Sequence, residues 1–539
     1  MDGPMSAEAI ETSAFAESGM LLSRLRTGAV ALSAVILAVS AWHMFTGGTH
    51  PDVSWLILVG NRMLDGERLY VDVLENNPPF SIYLYLPMVW LGRVTPVSAE
   101  SWTVLGTYVW AIAFGAFALR MTRRLGLATA AERLAITPVG LYLLLLLAPT
   151  TFSQREHFAV AAALPMLVIA AWRMKGEVRP VLPPAWMIVA GAGAAVTMMV
   201  KPHYALLFLL PYLLAAWTAR SPRLLFGPEI LTAAFAVIAY GMWVWVAYPE
   251  YISAVLPALL DIYGDRHDLY TLLFTASLSE LLLFGLLVVM LTGVSRRVNP
   301  LAWTFAAAAA AAYCVFLYLG KGWVYHLLPA LTFTLLAIAL IGARRWLGEE
   351  AASGGGRNRI VFAGIVAATS MAVAGTLVTW QRYDPPQWLA DRINAIAPHP
   401  AVASVSDEIG IGHPWARSLR GVWVGRDCAD WIVAGGVKAK IADPDMSDER
   451  RAHLDAIIEE AVERKISEWK AMPPDVVMLD SAPSGWTSPI LEDPEFATLL
   501  SNYRVVFRYK RASLALRSDL LPAWQAASAT ASSPGAASD

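Results

Sequence analysis

The chain has 539 residues, 57% of them hydrophobic and only 16% charged, with a formal net charge of −2. A soluble domain is usually about a quarter charged, so an ordinary water-soluble protein is excluded, and neither the net charge nor any basic patch points to a nucleic-acid partner. Cys314 lies in an apolar run and Cys428 in a polar one, which argues against an internal disulfide.

Residues 1–20 are small and polar and are expected to be disordered. Apolar segments long enough to cross a bilayer as helices follow at 28–46, 101–120, 134–150, 157–172, 184–200, 204–219, 229–248, 271–292, 301–319, 324–343 and 359–380. The first has no small-residue cleavage site before it and reads as a retained helix, not a signal peptide. One set of connections carries seventeen Lys and Arg residues, among them Arg24, Arg26, Arg120, Arg123, Arg124, Arg344 and Arg345; the opposite set carries seven, among them Arg155, Lys201, Arg266 and Lys321. Positive charge favours the cytoplasmic side. The N-terminus is therefore expected inside and the C-terminal region outside, periplasmic or extracellular, in a multi-pass protein of the inner (plasma) membrane.

This orientation treats residues 47–100 as one outer loop within a membrane domain at 21–382. In that loop, 53–65 reads as an amphipathic helix on the membrane surface, with Val53, Leu56, Ile57 and Met63 opposite Asn61, Arg62 and Asp65. Residues 79–92 are apolar but short, open on two prolines and are rich in Tyr and Trp, the marks of an interfacial segment. From 385 to 517 the charge density rises. Strands are expected at 401–405 and 475–479, a helix from Ser447 to Lys470 with Ser447 as N-cap, and a strand or hairpin at 503–516. This is a small α/β domain, followed by a disordered tail at 523–539.

Six polar clusters punctuate the apolar chain at the ends of spans, and the topology puts all six on one face. Ionisable groups at membrane depth cost several kcal/mol unless paired or wet, so the clusters suggest a site for a polar or anionic substrate. In His50-Pro51-Asp52, the carboxylate suits a general base toward an acceptor hydroxyl, and the same position suits a helix N-cap. Glu75-Asn76-Asn77-Pro78-Pro79 offers an acid and two amides on a stiff turn, fit either to grip hydroxyls or to form a solvated loop. In Gln154-Arg155-Glu156-His157, Arg155 and Glu156 either pair with each other or serve substrate, Arg155 as a phosphate clamp and Glu156 as a second acid or metal ligand. Lys201 with His203, Arg266 with His267, and Lys321 with His326 supply cations for a phosphate or pyrophosphate, although lysines at span ends also snorkel without function. Asp265 and Asp268 flank Arg266, which argues against a tight metal site. There is no HExxH, CxxC, P-loop or dinucleotide fingerprint.

Together these features resemble the GT-C superfamily of membrane glycosyltransferases, over about residues 25–345. The likeness rests on the early acid Asp52, on the run Gly66-Glu67-Arg68-Leu69-Tyr70 to Pro78-Pro79, similar to the family's "G-x-x-x-Y … P-P" loop, and on the second acidic turn at 154–157. In style it is similar to bacterial lipopolysaccharide and arabinose transferases and to protein O-mannosyltransferases. The resemblance implies an α-helical polytopic, GT-C-like fold of about eleven transmembrane helices with a C-terminal α/β extracytoplasmic domain. It implies an inverting transferase that moves a sugar from a polyprenyl-phosphate donor to a glycan, lipid or protein acceptor of the cell envelope. Asp52 and Glu156 would be catalytic. Glu75, Asn76, Asn77, Arg155, His157, Lys201, His203, Arg266, His267, Lys321 and His326 would bind substrate, with no assigned metal ligand and an optional divalent cation, magnesium or manganese. Two departures stand out: Val53 where many members complete an acidic pair, and Asn77 where many carry a lysine before the double proline. A ligase or polymerase of lipid-linked glycans shares this topology, and a lipid-linked sugar transporter is a further alternative.

Overall fold

A computed structural model describes residues 7–147, 149–176, 182–262, 267–347, 355–380, 382–482 and 485–530. The chain is a multi-pass membrane protein. Among the described residues, eight helices are long and apolar enough to cross a bilayer: Leu22–Thr46, Ala99–Arg124, Arg155–Met174, Pro202–Ala219, Pro228–Ala247, Pro300–Leu319, Val324–Leu347 and Val361–Val378. The other three expected spans are also helical but shorter, at Ala130–Leu145, Pro184–Val200 and Leu278–Leu291. Proline opens several of these helices, as at Pro184 and Pro300, because its fixed φ suits a first turn whose N–H would be orphaned anyway.

The chain divides into two compact units. The first comprises residues 1–46, 104–240 and 267–381. Its centre is the helix Arg155–Met174, almost wholly buried, against which Pro184–Val200, Leu206–Ala219 and Pro300–Leu319 pack. Small residues permit the close approach: a Cβ on Gly193 would lie 2.5 Å from the carbonyl oxygen of Ala162. Two buried ion pairs brace this unit, Arg173–Glu229 at 2.7 Å, to which Tyr212 adds a hydroxyl donor at 3.0 Å, and Arg344–Glu132 at 2.8 Å.

The second unit comprises residues 47–103, 241–266 and 382–539. Strands β1 (Ala401–Val405), β2 (Val422–Trp423), β3 (Val476–Asp480), β4 (Tyr503–Tyr509) and β5 (Ala512–Arg517) form one sheet in the order β2-β1-β3-β5-β4. β1 is parallel to β2 and β3, with Val402 opposite Val476; β5 runs antiparallel to β3 and β4. The helix Asp448–Ala471 is capped by Ser447, whose hydroxyl accepts from the Arg450 N–H, and it buries Val462, Ile466 and Trp469 against Val405 and Val477.

The first loop belongs to this second unit, not with the spans that flank it in sequence. Its helix, Pro51–Leu64, is buried from Val53 through Gly60. The expectation of a helix half exposed on a surface is thereby corrected: the short helices Phe80–Tyr83, Leu86–Val94 and Ile409–Gly412 pack around it. The segment 80–94 is broken into two short helices, neither long enough to span. The loop is tied to the carboxyl ends of β1 and β2. Arg62 donates to Gly425 O at 2.7 Å, the Leu74 N–H to Arg426 O at 2.8 Å, and Arg426 to Val71 O at 3.0 Å. In open α/β sheets that edge is where ligands usually bind.

Two expectations of disorder are also corrected. Residues 7–20 continue the first helix, which runs Ala7–Thr46, and residues 521–530 form a helix that buries Trp524 under the Arg392 guanidinium. Both stretches are rich in alanine, the strongest helix former. Residues 1–6 and 531–539 of those two segments lie outside the described residues.

Candidate active site

In the first unit, the turn before the helix Arg155–Met174 and the turns that start Pro202–Ala219 and Val324–Leu347 bring a polar group together. Gln154 occupies the N-cap position, and Glu156 follows in the first helical turn with no exposed surface. The adjacent Arg155 acts on it electrostatically, and a second cation reaches it from another turn. Lys201 follows the last turn of Pro184–Val200 in an extended conformation, and its Nζ lies 2.5 Å from Glu156 Oε1. The Lys201 ammonium also sits over the Tyr325 ring, 5.1 Å from its centroid, and Tyr325 packs edge-on against His326 at 4.5 Å. Lys201, His203, Arg155 and Lys321 all lie within electrostatic reach of His326, and Glu156 and Arg155 within reach of Tyr204. His267 closes on Lys321: its N–H donates to Gly320 O at 2.8 Å, and its ring approaches Gly322, whose φ of +65° suits glycine.

In this cluster Lys201 and Arg155 act on the carboxylate of Glu156, and Lys321 joins them at His326. Among the described residues, Tyr204 Oη and His326 Nδ1 have no hydrogen-bond partner, although the two side chains are only 1% and 4% exposed. A buried polar atom left unmatched costs about 1–3 kcal/mol, so groups of this kind, within electrostatic reach of Arg155 and, at His326, of Lys201 and Lys321, suit an anionic occupant. Histidine 157 does different work. Its Nδ1 accepts from the Ser153 N–H at 3.2 Å and its Nε2 meets Leu144 O, so both ring nitrogens are spent on holding the turn. That turn needs holding, because Ser153 has a φ of +62°.

In the second unit, Asp52 lies in the first turn of Pro51–Leu64. It is not the cap: His50 is, and its Nδ1 accepts from the Asp52 N–H at 3.2 Å. The Asp52 carboxylate lies 3.7 Å from the same nitrogen and keeps 22% of its side chain exposed, enough for a substrate proton to reach. Glu75 is only 3% exposed. It accepts from the Trp55 indole at 2.6 Å and from the Asn77 N–H at 2.9 Å. Asn77 in turn donates to Asn76 Oδ1 at 2.5 Å, and its carbonyl accepts from the Tyr70 hydroxyl. Glu75, Asn76 and Asn77 thus knit the loop. Behind it, Trp55 packs on His413, which packs on Trp423 with ring centroids 4.4 Å apart. Burial pushes the His413 imidazole down to about 3.

Arg266 and Asp265 lie outside the described residues. Both oxygens of Asp268 are engaged by Thr271, at 2.9 and 2.7 Å. Among the described residues no three of His, Cys, Asp and Glu gather in a group that could hold a metal ion. Sequence reasoning missed Tyr204 and His413. Tyr204 directly follows the Lys201-Pro202-His203 cluster, a proximity that could have marked it; His413 carried no signal.

No protein-family pattern and no curated protein matches the chain. Solved structures do. ArnT from Cupriavidus metallidurans bound to undecaprenyl phosphate is 14% identical, with a TM-score of 0.52 over 91% of this chain and 97% of that one. Its apo state matches with a TM-score of 0.53 over 94% and 99%, also at 14% identity. A more distant likeness, with a TM-score of 0.46 and 12% identity over 92% of this chain and 77% of that one, is to the oligosaccharyltransferase AglB from Archaeoglobus fulgidus in complex with an inhibitory peptide and a dolichol-phosphate. The chain thus shares the fold of these two ArnT structures.

Proposed function

We propose that the chain is an inverting glycosyltransferase that moves a sugar from a polyprenyl-phosphate donor to a cell-envelope acceptor on the outer face of the inner membrane, with its N-terminus cytoplasmic. The observation that carries this reading is the group of Arg155, Lys201 and Lys321 within electrostatic reach of His326, whose Nδ1, like the nearby Tyr204 Oη, is buried without a hydrogen-bond partner, in a fold whose neighbour ArnT was solved with undecaprenyl phosphate bound. The acceptor oxygen attacks the anomeric carbon and the carbon–oxygen bond to phosphate breaks. The acceptor proton passes to Asp52, and the bonding electron pair leaves on the phosphate oxygen. The phosphate gains negative charge as it leaves, so cations already fixed in place stabilise the transition state more than the ground state. Glu156 takes part through Lys201, holding the ammonium charged and aimed. A phosphate leaving group needs no general acid at neutral pH, so one base suffices.

The test is transfer of labelled sugar from defined polyprenyl-phosphate donors in vesicles holding the wild type or Lys201→Met. The wild type is expected to transfer and the variant to lose transfer while donor KM rises. Transfer of whole oligosaccharides from diphosphate carriers would move the reading to a ligase. No transfer from any carrier, with movement of lipid-linked sugar across the bilayer, would sink it in favour of a transporter.

A further inference from the structure

We propose that Tyr383 and Gly48 form a clasp that fixes the position of Asp52, which makes Tyr383 a positioning residue acting through His50. The inference rests on the reading of Asp52 as the base. The first transmembrane helix ends at Thr46 and the last at Val378, and the segments that leave these two helices meet within the second unit. The Tyr383 N–H donates to Gly47 O at 2.9 Å. The Tyr383 ring packs edge-on against His50, with centroids 5.1 Å apart and planes at 72°. His50 is the residue that caps the helix carrying Asp52 and holds the Asp52 N–H. Opposite the ring, Gly48 adopts a φ of +81°, and a Cβ there would fall 2.6 Å from Asp384 Cγ and 2.7 Å from Asp384 N. Only glycine satisfies both the backbone and the space.

Within the first unit, the ends of the same two helices meet independently: the His43 and Trp380 rings lie 3.8 Å apart. Burial, and secondarily the charge of Asp52, hold the Tyr383 phenol well above its ordinary pKa, so the ring stays neutral beside the carboxylate. The functional part of the residue is therefore the packed ring, not a proton.

The experiment compares Tyr383→Ala and Tyr383→Leu with Tyr383→Phe and with Gly48→Ala in the full-length protein. Misplacing a reacting group by about an ångström costs up to a hundredfold, so kcat is expected to fall about tenfold or more in the Ala, Leu and Gly48 variants, with donor KM unchanged. Tyr383→Phe, which keeps the ring, is expected to restore kcat. Hydrogen exchange of the amides of residues 52–56 is expected to quicken in the Ala, Leu and Gly48 variants and not in Tyr383→Phe. Wild-type kcat in Tyr383→Ala, a loss shared equally by Tyr383→Phe, or unchanged exchange would overturn the clasp. A wild type that transfers no sugar would overturn the functional reading instead, and the exchange measurement would still decide the clasp.

Discussion

Asp52 and Glu156 sit in the two units of the molecule, and their surroundings differ in kind. Glu156 has no exposed surface and faces a lysine at 2.5 Å; Asp52 keeps about a fifth of its side chain in reach of solvent beside a histidine cap. A sealed carboxylate with a fixed cation has no route for a substrate proton and holds its partner in place. An accessible one, with only the His50 imidazole at 3.7 Å, leaves room for a substrate proton, as the proposed base requires. The difference teaches that two acids alike in sequence context, each at the start of a helix, can differ wholly in burial and in partner, and the proposed division into a base and a brace follows that difference.

The largest expected effect tests the base. Asp52→Asn should lower sugar transfer by about 10²–10⁴-fold, the range of a positioned general base, with unchanged thermal unfolding in detergent. Full activity would erase the contrast between the two acids. Next comes the brace. Glu156→Ala strands the Lys201 ammonium in the bundle and should cost about 3–5 kcal/mol of stability, read as a fall in unfolding temperature, and Lys201→Met in the same chain should recover most of it.

A smaller effect separates the units by pH. The neutral His413 imidazole has a folded value of about 3 against 6.5 when unfolded. The unfolded chain therefore binds the extra proton between those values, and the stability this histidine contributes is complete above pH 6.5 and is lost as pH falls toward 3. Between pH 6.5 and pH 5 the second unit should lose about 1.5 kcal/mol. His413→Phe should flatten that slope in urea titrations. The smallest effect is Arg62→Lys, which keeps a charge for Glu67 but gives up the fork to Gly425 O and Asp72 O. It should cost about 1 kcal/mol, visible as faster proteolysis of residues 66–79.

The parts of the fold legible in the sequence were those set by local pattern. Apolar length marked the helical spans, Ser447 marked its helix start, and β-branched runs marked β1 and β3. β2 has two residues, Val422 and Trp423, too few to show a period. The candidate site was legible by residue type and not by partnership. Lys201 is visible as a cation at a span end, but nothing in a linear reading pairs it with Glu156, and Arg155 beside that acid is the more obvious partner. Tyr204 reads as an interfacial aromatic until its hydroxyl is found buried without a partner. Glu75 and Asn77 were legible as polar groups on a stiff turn, but not the hydrogen bonds that tie them to each other and to Trp55.

The tie between the first loop and the C-terminal sheet also has a consequence for how the chain is made. Arg62 waits for Gly425, a partner 363 residues further along. At roughly 5–20 residues per second, the loop is synthesised about 20–70 s before the surface that covers it. Throughout that interval Trp55, Leu56 and Ile57, all buried in the finished protein, have no sheet domain to shelter them. The segment that bears Asp52 is thus among the first to emerge and among the last to be completed, and interruptions late in translation or truncations of the C-terminal domain should register as an unfolded first loop.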